Sequence, residues 1–537
     1  MSADEWWRTA VVYEVYPRSF RDGDGDGVGD LEGVRQGLPY LSWLGVDAIW
    51  FTPWYRSPMV DGGYDVEDYR AIDPTFGTLE DAERLIAEAA QLGIRTIIDL
   101  VPNHVSSAHP WFQAALASEP GSDARRRFWF HPGRGPEGAD PPTRWKNNFG
   151  GPSWSRTTLA DGRPGEWYLH LFAPEQPDLD WRHPDVAREH EVLLRFWFDR
   201  GVAGVRIDSA AHIMKDPELP EDDGSHAPGR HPNLDRDEVH PVYRRWREIA
   251  DEYDPPRVLV GEVWIPDRQR FARYLDPDEL HTAFNFDLMT RPWDTASYRD
   301  SISLMLEAHA PTGAPCTWVL SNHDVTRPVT RFGREHSGFS FEEKAWNVPT
   351  DLALGRRRAE AAALLVGALP GSLYIYQGDE LGLPEVEDLD LAEIQDPMYF
   401  RTGGANPGRD GCRVPLPWRG QEPPFGFSPD GVRTWLSQPA AWATLTVAAQ
   451  VEREQSTLNL YRWMLRHRAD LPADGFAWID TGAADVLAFR RGDTVCVTNF
   501  GSADQDLPDG LYVYLASAPS RRGVIAANST VWATPRR

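Results

Sequence analysis

Gly204-Val205-Arg206-Ile207-Asp208 is the stretch on which the reading of the chain turns. Residues 192–201 before it form a helical pattern rich in Leu, Phe and Trp, and a few small and apolar residues then lead to an Arg and an Asp one residue apart. Side chains two apart on a strand share a face, so Arg206 and Asp208 can touch. On a buried strand the guanidinium favours the charged carboxylate, which suits a nucleophile. The plainer alternative is a structural ion pair at a strand end. What stands at the ends of the other strands decides between the two.

Short apolar runs recur on both sides of this segment, at 11–16, 48–51, 96–100, 203–207, 258–260, 283–286, 317–320 and 372–376. Helical stretches such as 31–44 and 79–92 separate them, which is the signature of parallel β/α units. Eight units suit a (β/α)8 TIM barrel, an α/β fold whose active site sits at the C-terminal ends of its strands. Two interruptions stand out. Residues 104–171 break into Pro, Gly, Trp and Arg over too long a span for a simple connection, so they read as a small domain inserted after the third strand. From 471 onward, alternating runs at 486–490, 494–499 and 510–515 predict an antiparallel, sandwich-like β-domain. The barrel then occupies 1–103 and 172–470, and the C-terminal domain 471–537. The loop at 214–240, with its acids, prolines and histidines, is expected to hang over the site.

The 537 residues exceed one ordinary core, and 41% hydrophobic with 25% charged residues is a globular composition. A net charge of −26 argues against nucleic acid, because a phosphate backbone would be repelled. Most of the 23 Trp are expected in the core, although indole faces also stack on sugar rings. Cys316, Cys412 and Cys496 are odd in number and far apart, which suggests neither a disulfide framework nor a zinc site. The N-terminus has no basic region followed by an apolar run, and no run is long enough to span a bilayer. The expectation is a cytoplasmic protein, monomer or homodimer, acting on a small neutral substrate without nucleic-acid or membrane partners.

Four strand ends carry polar clusters: Asp99-Leu100-Val101-Pro102-Asn103-His104, Arg206 with Asp208, Gly261-Glu262-Val263-Trp264, and Ser321-Asn322-His323-Asp324. On a barrel all four converge on one mouth. Three acids, two histidines and an arginine fit glycoside hydrolysis through a covalent glycosyl-enzyme. A metal centre is the rival use, and Arg206 opposes it. In this order the clusters resemble the conserved regions of glycoside hydrolase family 13, the α-amylase family. The resemblance runs from Tyr13-Glu14-Val15-Tyr16-Pro17-Arg18-Ser19-Phe20 through Gly45-Val46-Asp47-Ala48-Ile49-Trp50 and Gly371-Ser372-Leu373-Tyr374-Ile375-Tyr376-Gln377-Gly378-Asp379-Glu380 to the C-terminal domain. It implies Asp208 as nucleophile, Glu262 as general acid/base and Asp324 as the stabiliser on the 2- and 3-hydroxyls. It also implies that His104 and His323 bond glucose hydroxyls, and that Asp99 positions Arg206.

Within that family, Gln176-Pro177-Asp178-Leu179-Asp180-Trp181 and Asp61-Gly62-Gly63-Tyr64-Asp65-Val66-Glu67-Asp68-Tyr69 resemble the α-glucosidase and oligo-1,6-glucosidase branch. The branch implies that Asp61 binds the terminal 4-hydroxyl, that Tyr64 stacks on the sugar, and that Arg409 or Arg413 of the eighth-strand loop pairs with Asp61. It implies short α-glucoside substrates cut from the chain end. Related glucosidases with Val at the position of Ser209 favour α-1,6 linkages, so Ser209 implies α-1,4. A transglucosylase or isomerase on the same residues, and a non-catalytic relative, are the alternatives; the second would lack catalytic acids that this chain retains.

Near the start, Asp22-Gly23-Asp24-Gly25-Asp26-Gly27-Val28-Gly29-Asp30 alternates carboxylates with glycines. Asp22, Asp24, Asp26, the Val28 carbonyl and Asp30 match the first, third, fifth, seventh and ninth positions of an EF-hand loop, but Gly33 stands at the twelfth. A structural Ca²⁺, or Mg²⁺, is expected there.

Overall fold

The computed structural model describes residues 3–159, 161–341, 344–508, 510–519 and 521–535; the ends of the expected first and last domains, 1–2 and 536–537, lie outside them. Eight strands form one parallel sheet: Val11–Val15, Ala48–Phe51, Arg95–Leu100, Gly204–Ile207, Val258–Gly261, Thr282–Ala283, Thr317–Val319 and Ser372–Tyr376. Their order is sixth, fifth, fourth, third, second, first, eighth, seventh, and a parallel bridge from Phe284 to Thr317 closes the ring.

Residues alternate between two apolar layers, as the strand period dictates. Val12, Ala48, Trp50, Ile97, Val260 and Tyr374 pack together inside the barrel. Val11, Tyr13, Val15, Ile49, Phe51, Val205 and Ile207 belong to the larger core outside it, against the helices. The inward parity passes through Glu14, Asp99 and Arg206, which is why charged residues occur on buried strands. Register places Asp99 opposite Arg206, and Glu14 opposite Trp50 and Tyr376. Gly204 is needed for this fit, since a Cβ there would lie 2.6 Å from the Val258 carbonyl oxygen.

The surrounding helices begin where their caps say. Asp30 accepts the Gly33 amide at the start of Leu31–Leu44, which ends at Gly45 with φ of 98°. Thr78 and Asp81 form a capping box for Leu79–Gln91, whose buried Ala82, Leu85, Ile86 and Ala89 make one stripe. The helix before the fourth strand, Pro184–Phe198, starts on Pro184 and buries Val186, His190, Leu193, Leu194 and Trp197. At 283–286 only Ala283 is strand, because Asn285 accepts the Leu288 amide and caps the helix Phe286–Thr290.

Between the third and fourth strands lies a three-stranded antiparallel sheet, Phe130–His131, Trp154–Thr158 and Pro164–Leu169, over its own cluster of Trp129, Trp145, Trp154, Leu169 and Leu171. A five-stranded antiparallel sheet, Phe476–Ile479, Val486–Arg491, Thr494–Asn499, Leu511–Ala516 and Ser529–Pro535, follows the barrel. It is anchored on the helix Leu352–Ala368, where the Trp532 indole donates to the Leu364 carbonyl at 2.9 Å. No described helix is long and apolar enough to cross a membrane.

Candidate active site

Arg206 is the hub at the C-terminal mouth of the barrel. Its Nη1 reaches Asp99 Oδ1 at 2.8 Å and Asp208 Oδ1 at 2.9 Å, and its Nη2 lies 2.7 Å from Glu262 Oε2. Glu262 also accepts the Ser209 amide at 2.8 Å and the Trp264 indole N–H at 2.9 Å. One guanidinium thus holds both carboxylates that the sequence reading pairs for displacement.

Asp324 faces them from the seventh strand's end. Its Oδ1 meets Arg413 Nη2 at 2.9 Å and Arg409 Nη1 at 3.2 Å. Arg409 Nη2 pairs with Asp61 Oδ1 at 2.5 Å, and Arg409 Nε with Asp396 at 2.5 Å. Of the two arginines it is therefore Arg409 that closes the pocket on Asp61, while Arg413 donates to the His323 carbonyl at 2.8 Å and holds Asp324. Tyr64 stacks on His323 with centroids 5.3 Å apart and donates its hydroxyl to Asp99 at 2.9 Å. His104 lies with Nε2 3.2 Å from the Tyr64 carbonyl. Asp61, Tyr64, His104, Asp208, Glu262, Asp324 and Arg409 line one cavity of about 740 Å³, together with Asn147, Phe149, Phe172, Phe341, Met398 and Asn406, while Asp99, Arg206, His323 and Arg413 are buried behind them. From the connection after the fourth strand it takes residues only as far as His212. Beyond that the 214–240 loop leans on the inserted domain, with the Trp145 indole on the Pro220 carbonyl and Arg134 on Glu221, and does not line the cavity.

Burial is the first force on the charges here. It pushes the Asp208 carboxyl well above the ordinary carboxylate range, the Glu262 charge adds to it, and Arg206 offsets only part. Arg206 alone favours a charged Asp208, but in the fold it divides its donors among three acids. Burial likewise lifts Asp99 to about 7, against Arg206 and Tyr64. At Asp324 burial loses: His323 and the guanidiniums of Arg409, Arg413 and Arg206 hold its carboxyl far below the usual range. Burial pushes His323 itself well below its ordinary value, so near neutral pH the arginines carry that effect. Burial and the Lys215 charge take His104 down to about 3, so it stays neutral.

Several groups in the machinery were given no role by the sequence. Gln176 donates to Asp61 at 3.0 Å. Glu14 sits 2.5 Å from His323 Nδ1, and its signals are an acid inside the apolar run Val11–Val15 and its place in the Tyr13–Phe20 stretch. Lys215 is fully buried against Asp178 at 2.8 Å and Asn103 at 2.6 Å, tying the loop after the nucleophile to the stretch beside His104.

In the Asp22–Asp30 loop, Asp22, Asp24 and Asp30 each offer a carboxylate oxygen within 4.8 Å of the others. Three hard oxygens so close suit a hard cation. Asp26 stands outside that group and accepts the Val28 amide at 2.8 Å, so three of the four expected carboxylates converge here.

The model of the α-amylase catalytic domain matches residues 14–473. A probable alpha-glucosidase of Rhizobium meliloti (strain 1021) is 36% identical over 488 residues, covering 87% of this chain and 83% of that protein. An oligo-1,6-glucosidase of Heyndrickxia coagulans is 34% identical over 512 residues, covering 88% and 87%. The solved structure of an alpha-glucosyl transfer enzyme, XgtA, superposes with a TM-score of 0.84 at 34% identity, covering 99% of each chain. Barrel, converging acids and relatives agree, and the chain belongs to the α-amylase catalytic-domain family.

Proposed function

We propose that this glycoside hydrolase is an exo-acting, retaining α-glucosidase that releases glucose from the non-reducing end of short α-glucosides, preferring α-1,4 linkages. The observation that carries the reading is the Asp61–Arg409 pair at 2.5 Å, which lines the same cavity as the three acids and in this reading forms its floor. Such a floor accepts a terminal 4-hydroxyl but not a continuing chain. The names of the curated relatives, alpha-glucosidase and oligo-1,6-glucosidase, support it.

In this reading Asp208 attacks the anomeric carbon while Glu262 gives its proton to the departing glycosidic oxygen, leaving a β-glucosyl ester on Asp208. Glu262, now ionised, takes a proton from water, and the hydroxide formed attacks the same carbon from the α face and frees Asp208. Asp324 accepts the 2- and 3-hydroxyls, His104 and His323 bond further hydroxyls, Tyr64 offers its ring, and Asp99 keeps Arg206 in place. The Asp22–Asp30 loop would hold a structural Ca²⁺ or Mg²⁺ through Asp22, Asp24 and Asp30. We place the enzyme in the cytoplasm, which the three free, buried cysteines support, and take it as a monomer or homodimer.

Glucosyl transfer to a sugar acceptor is the second reading, favoured by the resemblance to a transfer enzyme. Product analysis on maltose, isomaltose, sucrose and trehalose, following the anomer by NMR, separates the two. α-Glucose appearing first, fastest from maltose, supports hydrolysis. Oligosaccharides or sucrose isomers as main products support transfer, and maltose or longer fragments released early from amylose would sink the exo assignment.

A further inference from the structure

The indole of Trp264 stands against the carboxylate that the proposed mechanism uses twice. Its Nε1–H donates to Glu262 Oε1 at 2.9 Å. The ring is fixed by a parallel stack on Phe286, with centroids 3.8 Å apart and planes 5° apart, and by the edge of Phe341 at 5.1 Å. Glu262 Oε2 faces two other donors, the Ser209 amide at 2.8 Å and Arg206 Nη2 at 2.7 Å. Among the described residues Oε1 faces one donor, so it is the oxygen with a lone pair left for the transferred proton. An indole N–H can only donate, and a donor held on a carboxylate oxygen favours the ionised acid.

We infer that Trp264 is a positioning residue that aims Oε1 into the cavity and biases Glu262 toward its ionised form. This rests on Glu262 being the acid/base. Such a bias assists the second half-reaction, in which Glu262 takes a proton from water. It opposes the first, in which Glu262 must give one, and so it lowers the pH at which turnover fails on the alkaline side. The other charged groups facing Glu262 are Arg206 and Asp208 from the fourth strand and Asp99 from the third. Arg206 acts in the same direction as the indole, and the two acids oppose it. A phenylalanine in this place would keep the stack on Phe286 and lose the bond.

The test is the pH profile of kcat/KM on maltose for the wild type and Trp264→Phe. The alkaline limb of the variant is expected to move to higher pH by roughly 0.5–1 unit. If Trp264→Phe does not fold, benzothienylalanine at the same position keeps the fused ring and replaces N–H with sulfur, and the same shift is expected. Coincident alkaline limbs, with only a uniform loss of rate, would overturn the inference and leave Trp264 as packing. Glu262→Gln, assayed on 4-nitrophenyl α-glucoside with and without azide, checks the underlying reading separately. An inactive variant that yields α-glucosyl azide keeps Glu262 as acid/base, whereas a variant that still turns over maltose removes that role and the inference with it.

Discussion

Asp61 shows how much a single side chain decides in this pocket. One oxygen faces Arg409 and the other faces Gln176, so both of its acceptors are engaged by donors. Asp61→Asn keeps the shape but turns an NH2 group toward one of them. KM for maltose should rise by about 10–200-fold, with the circular dichroism spectrum unchanged; an unchanged KM would mean the floor does not read the chain end. Ser209 carries a second prediction. Its φ of 47° is left-handed, and its amide is committed to Glu262. Ser209→Val should raise activity on isomaltose relative to maltose within the same range of about 10–200-fold. A β-branched residue at that φ is strained, so the variant should also lose about 1–2 kcal/mol of stability in urea titrations. If only the stability changes, the linkage is read elsewhere.

At the scale of elements, the helix Pro184–Phe198 buries a histidine as though it were apolar. His190 Nδ1 donates to the Val186 carbonyl, while Nε2 has no partner among the described residues, and burial takes its pKa from 6.5 to about 4. Between those values the unfolded chain binds the proton and the folded chain does not, so acidification favours unfolding. The gap in stability between wild type and His190→Gln should therefore move in the variant's favour by roughly 1.4 kcal/mol per pH unit from about 6.5 down to 4. Parallel urea titrations at pH 7 and 5 would show it, and a constant gap would contradict it. For the Asp22–Asp30 loop, EDTA should lower the melting temperature and added Ca²⁺ restore it; identical melts with no metal in the purified protein would make it a solvated turn. The barrel strands were legible because burial on both faces leaves near-continuous apolar runs, and the acids because they follow directly on those runs. The end of the sixth strand was not legible, since a short apolar run serves strand and helix alike and Asn285 turns this one into a helix. Nor could local sequence reveal that Glu14 meets His323 or that Lys215 meets Asp178, because those contacts exist only once the ring is closed and the inserted sheet is docked.

The molecule as a whole unites its parts through buried contacts. Trp532 is fully buried and bonds to Leu364, and Arg491 reaches from the C-terminal sheet to the Leu369 carbonyl at 2.8 Å. Barrel and sheet should then unfold in one calorimetric transition, and Trp532→Ala should cost about 3–5 kcal/mol or split that transition in two. Two transitions already in the wild type would show that the sheet is an independent passenger. The ring closure has a consequence in time. Val11 pairs with Leu373 and Glu14 with Tyr376, so the first strand of the ring to leave the ribosome must wait for the ring's last. At ordinary synthesis rates that wait is roughly 20–70 s, during which an apolar strand edge stands open. The newborn chain's hazard is thus set by the order in which its ends are made, and slowing translation anywhere between those strands should increase its need for a chaperone.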